Sequence, residues 1–260
     1  LFLDLYPNFK KGRILKKEML ESLRDYPRNF IDIRFKDYSD GVVVGAEILI
    51  EEDCLTITSG IVKHGGRMYM LENDCQIPYR ATGEEILIKI QFKKEDVHAD
   101  FISYGTEIFL DEDVRIKQDE LELGRFKLKP GARLRSEYQS FADFATEYNT
   151  VNIIHVKYSG FRKSTLNPAI LRYFATEILK SGSVNPNPYD IAFSMQCMNQ
   201  GIVDRELILH YIANRLGKGY KEYSNGQIHK YLGSILEEVK GGSKAKPGLR
   251  PGGPQRVIVD

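Results

Sequence analysis

The sequence has no tryptophan, only three cysteines among 260 residues, and no long unbroken apolar run. Each shortage excludes something. Cys54, Cys75 and Cys197 are odd in number and widely spaced, so they form neither a disulfide framework nor a zinc pattern, and read as buried thiols in a reducing compartment. No stretch approaches the roughly 20 apolar residues a membrane-crossing helix needs. An excess of one charge is also missing: 37 basic and 36 acidic residues leave a net +1, which argues against a dedicated nucleic-acid protein while leaving room for a local patch. The opening LFLDLYPNF has no basic lead and no small-residue cleavage site, which reads against a signal peptide.

What is present is a core-forming composition, 42% hydrophobic, with 15 Tyr and 13 Phe. Tyrosine suits both sheets and interfaces. Near the start, Gly12 and Pro27 bracket a helix expected over about 14–25, with Ile14, Leu15, Met19 and Leu23 as its apolar positions. Lys10, Lys11, Arg13, Lys16 and Lys17 crowd its beginning, where the helix dipole disfavours cations. The basic cluster reads as a solvated face on a helix that packs against something else, with a phosphate- or partner-binding patch as the alternative.

From residue 30 the period changes to two. FIDIRF alternates, DYSDG at 37–41 is a turn signature, and short runs follow: VVVGAEILI, CLTITSGIV, RMYML, CQIPY, EEILIKIQF and EIFLDEDVRI. The series predicts a mainly antiparallel β module. After GRFKLKPGARL the pattern turns helical. EYQSFADFATEYN reads as a short helix carrying Phe141, Phe144 and Tyr148, and four further helices follow. The first is capped by Thr165 or Asn167 with Pro168 in its first turn and ends at Gly182; the second stops at Gly201. The last segment, from Gly241, has no period and ends in VIVD. The expected fold class is α+β, a mainly antiparallel N-terminal β module followed by a helical module. The expected divisions are an arm over 1–29, a β-rich module over 30–130, a helical module over 131–240 and a flexible tail over 241–260.

The chemical motifs resolve into structure. In KHGGR, residues 63–67, a phosphate loop would need a longer glycine pattern leading into a helix, whereas a strand-like run follows. Gly65 and Gly66 instead supply the positive φ angles of a tight hairpin. His64, His98, His155, His210 and His229 form no close pair with ligand spacing; His98 and Asp100 share a side only if VHAD is extended. No serine sits in a GxSxG elbow, and Cys197 lies on an apolar helix. The clusters Glu51–Asp53 and Asp111–Asp113 occupy turns. The pair of helices around GKGYKEYSNG is similar to a helix-turn-helix, with a linker longer than the usual turn.

The stretch SGIVKHGGRMYML, with DYSDGVVVGAEILI before it, resembles modules of phage tail and baseplate proteins, in which a short β run leads through a glycine turn to an aromatic-bearing strand. The resemblance covers residues 38–92. LYPNFKKGRILKKEMLESLRDYPRNF is similar to an uncharacterised bacterial or phage-associated family. The β-plus-helical order resembles a baseplate component of a contractile secretion device. The resemblance implies a non-enzymatic assembly protein, cytoplasmic or within a phage-like particle. Its partners would be other structural proteins or copies of itself, with no catalytic residue, cofactor or metal. The candidate interface residues are Lys63, His64, Arg67, Tyr69, Phe141, Phe144, Tyr148, Val257, Ile258 and Val259. Two other classes stay open: an accessory nucleic-acid-binding protein, and an enzyme whose site is assembled between the modules.

Overall fold

The computed structural model describes residues 2–135, 137–146, 148–182 and 186–241. The expected tail pairing by Val257, Ile258 and Val259 lies outside the described residues.

An extended arm leads into helix α1, Lys17–Phe35. This corrects two expectations: the helix does not stop at Pro27, and FIDIRF is helical rather than a strand. Phe30 and Ile33 continue a row begun by Met19, Leu23 and Tyr26, so the 4-3 spacing of a helix competes with alternation there. Pro27 lacks one N–H and weakens one turn without ending the helix.

Nine strands follow: β1 (Gly41–Gly45), β2 (Ile48–Ile50), β3 (Cys54–Ile57), β4 (Gly60–His64), β5 (Arg67–Leu71), β6 (Cys75–Pro78), β7 (Glu85–Val97), β8 (Ile102–Asp111) and β9 (Glu120–Lys127). They form three antiparallel three-stranded sheets, ordered β1-β4-β5, β2-β3-β6 and β8-β7-β9. Two of the predicted runs therefore break in half. VVVGAEILI becomes β1 and β2, and CLTITSGIV becomes β3 and β4, each half joining a different sheet. The break sits where Gly45 and Ala46 both take positive φ, 64° and 53°. A Cβ on Gly45 would lie 2.1 Å from Ser59 O, and one on Gly60 2.4 Å from Ala46 N. Two backbones cross there at a distance only glycine permits.

The helical half begins with a 3-10 helix at Phe141–Ala145, shorter than the helix expected from EYQSFADFATEYN. Then come α2 (Pro168–Lys180), α3 (Pro188–Asn199), α4 (Arg205–Arg215) and α5 (Asn225–Gly241). Asn167 caps α2, its side chain accepting from Ala169 N at 2.9 Å with Pro168 directly after it, and Asn187 with Pro188 repeats the device on α3. This is the α+β order expected: strands first, helices after.

Two hydrophobic clusters form the core. One lies among the strands, around Leu55, Ile57, Ile88, Leu123 and Phe126; the other lies among the helices, around Phe144, Ile170, Phe174, Ile208 and Leu232. Residues 37–42 are clasped to 157–162. Ser39 N donates to Gly160 O, Val42 N to Lys157 O, Ser159 N to Val42 O, Arg162 N to Asp37 O, and Ser159 Oγ to Ser39 O at 2.6 Å.

Candidate protein–protein interface

KHGGR is a two-residue hairpin. β4 and β5 pair as far as His64 and Arg67, and Gly65 and Gly66 take φ of 55° and 78°. Both central residues in the left-handed region is what a strand-matching turn needs. The side chains of this corner diverge. Lys63 is buried and turns inward, where its Nζ donates to Phe35 O at 2.5 Å and Tyr38 O at 2.6 Å. It holds the carboxyl end of α1, where the helix dipole favours a cation. His64 stacks on Phe92, centroids 3.9 Å apart, and Tyr69 tilts against the same ring. Arg67 lies 3.6 Å over the Tyr104 ring and donates to its hydroxyl at 2.9 Å; that hydroxyl donates in turn to Glu95, which raises the tyrosine's pKa. His64, Arg67 and Tyr69 thus come together around Phe92 and Tyr104, and Arg67 also borders a cleft of about 430 Å³ shared with Arg28, Ile31 and Asp32 of α1.

The other described candidates do not join them. Lys63, Phe141 and Phe144 are buried, which corrects their place on the surface. Phe141 stacks on His229 at 4.4 Å and Phe144 on Tyr138 at 4.0 Å. Their helical spacing was that of a core face. Tyr148 does reach solvent, with the Lys129 ammonium 4.6 Å from its ring.

The largest apolar surface is one the interface residues did not include. α1 buries none of its side chains. Met19, Leu23, Tyr26, Phe30 and Ile33 recur at 4-3-4-3 spacing, the seam one helix presents to another. Leu23 is 50% exposed, Phe30 64% and Ile33 70%. Ahead of the helix, Phe2, Leu3, Leu5, Tyr6 and Phe9 are exposed too. Residues 2–35 hold 13 of the 28 large exposed hydrophobic side chains among the described residues, though they are a small part of the chain. A patch of that density marks an interaction surface. The helix gains little from its own sequence, since Lys16 at the N-cap makes no side-chain cap bond and Pro27 interrupts the ladder. The 4-3 row is the sequence signal for this face, and the period-two alternation of FIDIRF masks it.

Other charged groups face inward. Lys89 is fully buried between Asp111 at 2.8 Å and Glu120 at 3.2 Å, and also donates to Arg115 O. Lys117 Nζ comes within 3.2 Å of Glu120 Oε1 without hydrogen-bond alignment. In the pair α4–α5, Arg215 is committed to Asp190 and Glu238, and Arg205 to Ser164 O, Asn225 and Tyr223 O. Lys218 and Lys221 sit over Tyr231 and Tyr223. Among the described residues no three His, Cys, Asp or Glu side chains gather as a metal site would need, and no helix is long and apolar enough to cross a membrane.

No family model matches the sequence, and no curated protein matches it. Solved structures give a weak, low-identity resemblance across nearly the whole chain. One is a chain of the type VI secretion system TssK–TssF–TssG baseplate subcomplex, at TM-score 0.38 and 11% identity, covering 90% of this chain and 99% of that one. Another is the crystal structure of TssK, at TM-score 0.40 and 7% identity, covering 92% of this chain and 72% of that one.

Proposed function

We propose that this chain is a structural subunit of a phage tail- or baseplate-like complex, and that it contacts neighbouring subunits through residues 2–35. The observation that carries the reading is α1, a 19-residue helix with a 4-3 apolar seam and no buried residue. A helix that its own chain leaves uncovered gains its stability by laying that seam against a partner helix or groove. The resemblance of residues 38–92 to tail and baseplate modules supplies the kind of assembly. The buried aromatic anchors would provide affinity, and the charges between them orientation.

The test compares the full chain with Leu23→Glu/Phe30→Glu, each co-expressed with tail and baseplate subunits of contractile devices and weighed by native mass spectrometry. Both side chains are at least half exposed, so the variant keeps its fold. Burying each is worth about 1.5–3 kcal/mol, so the variant binds roughly a hundredfold or more weaker. A monomer that captures none of these subunits, yet binds DNA tightly at physiological salt, would replace this reading with the nucleic-acid one.

A further inference from the structure

The second apolar surface lies between the two halves of the chain. A cleft of about 450 Å³ has the segment Val43–Ile50 along one wall, with Leu123, Val151 and Val156 behind it and the start of α2 opposite. Val44 lines it while 56% exposed. Its charged groups are Glu47, Arg135 and Arg172; Arg135 is 3.6 Å from Asp143, and Arg172 is exposed in the second turn of α2. The wall includes a free strand edge. Among the described residues β2 pairs only with β3. Thr58 N donates to Glu47 O and Glu51 N to Cys54 O, so odd-numbered residues bond toward β3. The N–H and C=O groups of Ile48 and Ile50 therefore point away from the sheet, open to an added strand.

The arm is complementary to this cleft. Residues 2–9, FLDLYPNF, have no regular structure, and Asp4 is their only charge. When extended, Leu3 and Leu5 share one side and Asp4 the other. None of these residues lines the cleft of its own chain, and Phe2, Leu3, Leu5, Tyr6 and Phe9 are all exposed. One segment has apolar side chains without cover and a single carboxylate. The cleft has an apolar wall, an open edge and, in Arg172, an exposed cation.

We propose that the cleft receives residues 2–9 of a second copy of this chain, added beside β2 with Leu3 and Leu5 on the apolar wall and Asp4 toward Arg172. The inference rests on the assembly reading above and names one of its contacts: arms exchanged between copies.

The experiment places a photo-crosslinking amino acid at position 5 of the full chain and mixes isotope-labelled with unlabelled protein. Crosslinks to residues 43–50 or 151–156 in mixed-isotope pairs are expected. Val44→Arg, with an unchanged circular dichroism spectrum, should abolish them, and it should weaken self-association in sedimentation at least about tenfold. Crosslinks confined to single chains overturn the proposal, as does a protein monomeric at every concentration. So does a chain that still binds tail or baseplate subunits through α1 while giving no mixed-isotope crosslink; that result rejects arm exchange and leaves the proposed function standing.

Discussion

Replacing Lys63 by Met should loosen α1 from the body of the protein. The substitution keeps most of the aliphatic stem and removes the ammonium. Phe35 O retains a donor, because Tyr38 N also bonds to it at 3.0 Å, whereas Tyr38 O loses the Lys63 ammonium. Hydrogen bonds from a charged donor contribute about 1.5–3 kcal/mol each. The desolvation of a buried ammonium offsets part of that, so the net loss should be about 2–3 kcal/mol. Without tryptophan the assay is urea unfolding followed by far-ultraviolet circular dichroism, paired with hydrogen exchange across residues 30–38. Exchange there should accelerate while β7 stays protected. Arg67→Ala is the control: its partner Tyr104 is only half-buried and the Glu95 beyond it is exposed, so it should cost less than about 1 kcal/mol. If the two variants prove equally mild, Lys63 does not anchor the helix and the reasoning fails.

Lys89→Met should cost about 3–5 kcal/mol at pH 7, because it strands the buried Glu120 carboxylate. The Lys89 ammonium holds Asp111 below the usual carboxylate range, so the pair's contribution is complete above a pH of about 4 and fades as pH falls through the lower folded value. Urea titrations at pH 7 and pH 3 should show the gap to wild type closing, and a gap independent of pH would contradict the ion-pair account. Gly45→Ala should destabilise by at least about 2 kcal/mol in thermal unfolding, since its Cβ would meet Ser59 O. Gly66→Ala, with open space around it, should cost only the roughly 1–2 kcal/mol of a left-handed φ. Burial pushes the Cys197 thiol up to about 12, so a thiol reagent should label it far more slowly than Cys75. Labelling of Cys197 as fast as Cys75 would refute its place in the helical core.

The helical half was legible because its boundaries are written locally. Asn167–Pro168 and Asn187–Pro188 are cap-and-start pairs, each Asn accepting from the N–H two residues on, and the helices they open obey them. The hairpin at Gly65–Gly66 is local in the same way. What stayed hidden depends on distant partners. Lys63 looks like a surface charge until the carbonyls of Phe35 and Tyr38 come to it across 25 residues or more. Lys89 alternates among apolar neighbours, and only Asp111 and Glu120 explain a charge there. Phe141 and Phe144 have a helical spacing that suits a core and an interface alike; packing decides between them. FIDIRF satisfies periods of two and of 3.6 at once, so its length alone could not choose, and the seam of α1 was lost with it.

The clasp between residues 37–42 and 157–162 has a mechanical meaning. If α1 and its arm are the handle by which a neighbouring subunit holds this one, tension applied there runs along the backbone from Phe35 into Asp37, Ser39 and Val42. Those residues hand it through the hydrogen bonds of the clasp to Lys157, Ser159, Gly160 and Arg162, at the threshold of the helical half. Lys63 draws part of the same load into β4, because its ammonium holds the carbonyls of Phe35 and Tyr38. A contraction or twist passing through an assembly built from such subunits would reach the helices across the clasp and the β4–β5 hairpin through Lys63.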